Sequence, residues 1–182
     1  MPAPRYRTAR LADGPQNGDG HYTRAMTDAT TSRAKERVAA VDGWFTLDAD
    51  QPRLLGNRCT TCGTFFFPRA DFFCRNPECD GTAFDEVPLS SKGRVWSYTV
   101  NRYQPPPPYR SPDPFAAYAI AAVELIEEKM VVLGQMVAGV EGDQLDVGME
   151  VELVLDVLYE DDDHEYLVWK WRPVALSNGG AS

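Results

Sequence analysis

The four cysteines of the chain crowd into one short segment, Cys59-Thr60-Thr61-Cys62 and then Cys74-Arg75-Asn76-Pro77-Glu78-Cys79. Two pairs of thiolates on two short loops are the donor set of a tetrahedral Zn2+, which binds sulfur at about 2.3 Å. Gly63, directly after the first pair, permits the tight turn that presents backbone N–H groups to sulfur. So short a segment cannot build a sufficient core alone, and a bound metal would supply its folding energy. The competing chemistries for Cys59, Cys62, Cys74 and Cys79 are two disulfides, a redox Cys59–Cys62 pair, or an iron site. Disulfides need an oxidising compartment, and nothing indicates export. No βαβ pattern surrounds the first pair, as a thioredoxin-like motif requires. Four thiolates leave no open coordination position, which speaks against a catalytic zinc. The four-residue spacing of the second pair makes Cys79 the loosest ligand.

Other catalytic material is sparse. The chain has two histidines, His21 and His164, and shows no Ser/His/Asp set, no glycine-rich phosphate loop and no HExxH helix. The run Glu160-Asp161-Asp162-Asp163-His164-Glu165 lacks EF-hand spacing and reads as a solvated turn. Arg94, Arg102 and Arg110 stand in an otherwise acidic region. They are either surface ion-pair partners or contacts for a ligand's phosphates or a partner's acidic edge. The prolines from Pro105 to Pro108 lead into Tyr109 and adopt an extended shape at low entropic cost. They form either a rigid loop between strands or a lip that meets a partner or a ligand.

The elements that must position these residues follow from the rest of the chain. With 182 residues, 43% hydrophobic and 25% charged, the sequence holds material for one real core. No run approaches the ~18–20 apolar residues of a membrane span, and the start lacks the apolar stretch of a secretory signal. A cytoplasmic location is expected, with no membrane partner. Residues 1–58 carry nine Lys/Arg and seven Asp/Glu, whereas residues 93–182 carry six and fifteen. That acidity would repel DNA or RNA, so no nucleic-acid partner is expected.

Residues 1–30 read as a disordered tail and 174–182 as a second one. Residues 31–58 read as a helical docking segment, with a short helix over Arg33–Val41 capped by Ser32 and stopped near Gly43. Ala34, Val38 and Val41 share one face, and Trp44 and Phe45 follow as candidate anchors for a partner. Residues 59–92 form the cysteine module. Residues 93–173 hold five strands, over Arg94–Val100, Tyr118–Leu125, Met130–Val137, Met149–Tyr159 and Glu165–Trp171. Five strands without a clear helix suggest a small closed barrel, most simply an OB-fold. The expected fold is mainly β: an N-terminal helix, a rubredoxin-like zinc ribbon, then a five-stranded OB-fold barrel.

This order resembles the zinc-ribbon/OB-fold family of acyl-CoA-associated proteins. The resemblance rests on Leu54 to Gly63, Phe67-Pro68-Arg69, Gly93-Arg94-Val95-Trp96-Ser97-Tyr98-Thr99, Phe115 to Glu124, Val147 to Val151 and Trp171-Arg172-Pro173. It covers roughly residues 44–173, and the Cys74–Cys79 pair departs from the family's usual Cys-Pro-x-Cys. The resemblance implies structural Zn2+ and a non-catalytic accessory role beside a thiolase-like enzyme. Such enzymes include thiolases and the lipid-transfer-protein-like aldolases that cleave steroid side chains in actinobacteria. The stretches around Arg58, Gln104 to Tyr109 and Trp169 to Pro173 look most like the aldolase partners. The implied assembly is a two-plus-two heterotetramer. The implied reaction is retro-aldol cleavage (a carbon–carbon lyase) of a steroid side-chain β-hydroxyacyl-CoA. The residues that would touch acyl-CoA or the partner are Trp44, Phe45, Arg94, Arg102, Tyr109 and Arg110. The alternatives are a nucleic-acid-binding ribbon/OB module and a subunit of an acetyl-CoA-type thiolase complex.

Overall fold

Alternating apolar and charged residues in the second half of the chain build a barrel. The computed structural model describes residues 34–174 apart from Pro108 and Pro112. The tail expected at 1–30 lies outside the described residues, as does the one expected at 174–182 except for Val174, whose N–H donates to Glu150 O at 3.0 Å. The barrel strands are β5 (Lys92–Asn101), β6 (Tyr118–Leu125), β7 (Met130–Met136), β8 (Glu150–Glu160) and β9 (His164–Pro173). They run in the order β9-β7-β6-β5-β8, and pairing of β8 with β9 closes the ring. On β8, Val151 and Leu153 turn inward and are almost fully buried, while Glu150 is exposed. On β6, Ala119, Ala121, Val123 and Leu125 do the same. The period of two thus sorts each strand into a core face and an outer face. Trp171 is fully buried at the centre. It packs so close to β7 that a Cβ at Gly134 would fall 2.7 Å from its indole nitrogen, and a bare backbone is required there.

The cysteine module is a separate three-stranded sheet. Its strands are β2 (Leu55–Cys59), β3 (Phe65–Phe66) and β4 (Phe84–Pro88), in the order β3-β2-β4. Leu54 and Leu89 flank this sheet and are fully buried in the same core as the barrel.

Where a helix is expected over Arg33–Val41, the described residues 34–41 form none and hold a short strand instead. Glu36–Ala39 forms β1 and pairs in parallel with β9, Val38 opposite Tyr166. Hydrogen bonds from the Glu36 N–H to Asp163 O (2.9 Å) and from the Ala40 N–H to Leu167 O (2.8 Å) bracket the pairing. Ion pairs Lys35–Glu160 (3.1 Å) and Arg37–Glu165 (3.2 Å) add to it. A helix this short is marginal by itself, and the ladder offered by β9 satisfies the backbone instead.

Candidate metal centre and barrel cleft

Cys59 ends β2, and Cys62 follows in a knuckle. Gly63 N–H donates to Cys59 O and Cys59 N–H donates to Thr64 O, both at 2.9 Å. Gly63 has φ of 76°, left-handed backbone that a side chain would strain. The second pair is shaped by Cys74 N–H donating to Gly81 O (2.8 Å) and Cys79 N–H donating to Asn76 O (3.0 Å). The Asn76 side chain also accepts the Glu78 N–H at 3.1 Å. These bonds curl the four intervening residues into a turn, so the wide spacing still delivers Cys79. A Cβ at Gly81 would lie 2.9 Å from Cys59 Sγ, leaving room for glycine alone.

The four Sγ atoms lie within 4.8 Å of one another. Cys59 and Cys79 are 3.9 Å apart, and Cys62 and Cys74 are 3.6 Å apart. A tetrahedron with metal–sulfur bonds of about 2.3 Å has edges of about 3.8 Å, so the donors fit Zn2+. The Thr64 hydroxyl, followed by its backbone N–H, stabilises the Cys62 thiolate and lowers that thiol's pKa to about 6. Burial pushes the Cys74 thiol up to about 12. Zinc needs both as thiolates, so coordination must displace the proton that burial retains on Cys74. The site is structural: its four sulfurs complete the coordination sphere.

The structure distributes the other expected contact residues over three places. Trp44 and Phe45 stand between ribbon and barrel. Phe45 is only 4% exposed and belongs to the core, so its ring is not an accessible anchor. Trp44 packs on Phe67 at 5.5 Å and on Trp169 at 6.0 Å between ring centroids. These aromatics follow a strand rather than a docking helix, and the seam they fill would otherwise be open. Arg94 is exposed on β5 and pairs with Glu150 at 3.3 Å. Arg102 is exposed just after β5.

Tyr109 and Arg110 do come together. They line a cleft of about 660 Å3 between the proline-rich loop and the ends of β7 and β8. The Tyr109 hydroxyl accepts from Gln135 Nε2 at 2.9 Å, and its ring stacks on Tyr118. The Arg110 guanidinium lies 4.8 Å over the Tyr159 ring. Burial raises the pKa of Tyr118. Lys170, paired with Asp156 at 2.8 Å, supplies a second cation to the wall. Alanines 116, 117, 119 and 138 keep the walls low. The volume suits a small-molecule ligand. Gln135, Tyr118, Tyr159 and Lys170 escaped the sequence reading because cross-strand neighbours leave no local spacing. Among the described residues, no helix is long and apolar enough to cross a membrane.

Comparison with known proteins agrees with this architecture. Residues 48–85 match the ChsH2 rubredoxin-like zinc ribbon domain, and residues 86–156 match the ChsH2 C-terminal OB-fold domain. A DUF35 domain-containing scaffold protein of Methanocaldococcus jannaschii is 36% identical over 124 residues, which are 66% of this chain and 82% of that protein. A protein of the same description from Pyrococcus furiosus is 35% identical, over 69% of this chain and 86% of its own. The benzoylsuccinyl-CoA thiolase subunit BbsA of Thauera aromatica is 39% identical over 54 residues, 30% of this chain and 35% of that one. Among solved structures, a chain of the Ltp2-ChsH2(DUF35) aldolase aligns with a TM-score of 0.49 at 32% identity, over 66% of this chain and 84% of that chain. The zinc ribbon leading into a closed barrel, matched domain by domain and in the same order, makes this chain a member of the DUF35 family with ChsH2-type zinc-ribbon and OB-fold domains.

Proposed function

We propose that the chain is a non-catalytic accessory subunit of a thiolase-fold acyl-CoA enzyme. The observation that carries this reading is its likeness to the archaeal scaffold protein, of which it covers 82%. The likeness to BbsA, named as a thiolase subunit, points to the partner's class. The zinc is structural, and the partner supplies the acid–base chemistry. The reaction is retro-aldol cleavage of a steroid side-chain β-hydroxyacyl-CoA: the β-hydroxyl loses its proton and becomes a carbonyl as the Cα–Cβ bond breaks, the bond's electrons pass into the thioester enolate, and a proton taken up at Cα gives the shortened acyl-CoA. This chain stabilises the partner and walls part of the acyl-CoA channel. Tyr109 and Arg110 border the ligand there, because the cleft combines apolar walls with the Arg110 guanidinium, while Lys170 is held by Asp156 and Glu160 closes the rim. The complex is a two-plus-two heterotetramer in the cytoplasm, where a reducing milieu keeps the four thiols available to zinc.

Co-expression with the chain's genomic neighbours tests this. A thiolase-like protein should co-purify, at a mass matching two copies of each. The chain alone should turn over no acyl-CoA, and the complex should cleave a β-hydroxyacyl-CoA. Cleavage by the isolated chain at an enzyme-like rate, with no partner detectable by mass spectrometry, would refute the accessory role.

A further inference from the structure

Beyond the cleft residues Tyr118 and Gln135 and the Arg94–Glu150 pair, the middle of the outward face of β5, β6 and β7 has no part in the chemistry described so far. Ala122 on β6 sits opposite Ser97 on β5 and opposite Leu133 on β7. Trp96 occupies the bulge between Val95 and Ser97, a device that re-aims a side chain. It is 61% exposed, Leu133 is 65% exposed, and Val131 beside it is 44% exposed. Leu133 is fixed in place, since the Trp169 indole N–H donates to its carbonyl at 3.2 Å. A tryptophan, a leucine and a valine thus share one rigid, solvent-facing patch of sheet. Such patches mark interaction sites, and tryptophan is the commonest energetic anchor of interfaces.

Charge selects the occupant. Residues 93–182 carry fifteen acidic and six basic side chains. On the face itself Glu124 lies between Val131 of β7 and Arg94 of β5, and Arg94 is already paired with Glu150 of β8, so two carboxylates share one guanidinium. A second copy would bring the same acidic barrel against this one, and like charges across an interface are costly. A surface with an apolar centre and a rim of Lys and Arg matches both the patch and its surroundings. We propose that this face is where the thiolase-like subunit docks, through an apolar patch rimmed by basic residues; this rests on the accessory-subunit reading above.

The test uses the full chain and the thiolase-like subunit that co-purifies with it. Trp96→Ser and Leu133→Ser should each weaken the complex about tenfold or more, as expected of interface anchors. Zinc content and melting temperature should stay at wild-type values, since both side chains already face solvent. Glu124→Lys should weaken association and flatten its dependence on salt. Phe72 and Phe73 on the ribbon, 72% and 67% exposed, provide the rival surface. If Phe72→Ser or Phe73→Ser breaks the complex while Trp96→Ser and Leu133→Ser leave it intact, the proposal is overturned. It is also overturned if Leu133→Ser abolishes self-association of the isolated chain and spares partner binding. Failure of the wild-type chain to capture any thiolase-like subunit rejects the accessory reading itself, and the docking face with it.

Discussion

The ring of Phe67, just past β3 of the ribbon, meets the indole of Trp169 on β9 edge-on, centroids 5.7 Å apart and planes at 85°. Phe45 approaches the same indole at 5.8 Å, and Trp44 at 6.0 Å. One barrel tryptophan therefore receives three aromatic rings from the first half of the chain. Arg69 reinforces the seam, with its guanidinium donating to Gly43 O at 2.9 Å and pairing with Glu86. The ribbon is consequently fixed to the barrel, and a partner that grips one grips both.

Removing this aromatic bridge should loosen the two sheets in the isolated chain. Trp169→Ala should cost about 3 kcal/mol, the range for truncating a large aromatic. Trp44→Ala should also destabilise, by about 1–2 kcal/mol, because edge-to-face partners add to burial. Chemical denaturation followed by fluorescence measures both. A Trp44→Ala chain as stable as wild type, yet unable to bind its partner, would return Trp44 to the role of a pure docking anchor.

The four cysteines should hold one zinc per chain, measurable by elemental analysis of protein purified without chelator. Cys62→Ala should lose the metal and unfold the ribbon while far-ultraviolet signals of the barrel persist, since three thiolates leave an exchangeable site. Iron in place of zinc would contradict the assignment.

Gly134→Ala should be costly although it adds a single methyl group. The new carbon would press on the buried Trp171 indole at 2.7 Å, and overpacking of this kind costs about 1–3 kcal/mol. A thermal melt suffices to check it, with Gly139→Ala as a control for open space, since no atom lies within 4 Å of its added Cβ. That control carries its own backbone strain from φ of 84°, so the comparison is between a clash and a strained turn.

The tip of the β8–β9 hairpin should open in acid. Asp161 accepts the N–H groups of His164 (2.7 Å) and Asp163 (3.0 Å), and the Tyr166 hydroxyl at 3.0 Å. The His164 amide is the largest cause that lowers its pKa to about 2. A depressed carboxylate stabilises the turn above its unfolded pKa of about 3.9. That contribution fades as pH falls through the folded value near 2. Hydrogen exchange at the Asp163 and His164 amides should therefore speed up, relative to the barrel core, between those pH values. Asp161→Asn should abolish the difference.

The cysteine spacing and the strand periods made the zinc ribbon and the five-stranded barrel legible in advance. Both signals are local: a metal needs donors from two short loops, and a half-buried strand alternates on its own. Strands β5 to β9 accordingly run close to the expected bounds, and Cys59, Cys62, Cys74 and Cys79 converge as expected. Only the tertiary structure decided the state of residues 36–39, because the backbone ladder they join belongs to β9, more than a hundred positions away. It also decided that Phe45 is core and not surface, since Trp169 fills the space beside it. The cleft joining Tyr109 to Gln135, and the patch joining Trp96 to Leu133, depend on strand register. Register is set by closing the barrel around Trp171, and no stretch of sequence contains it alone.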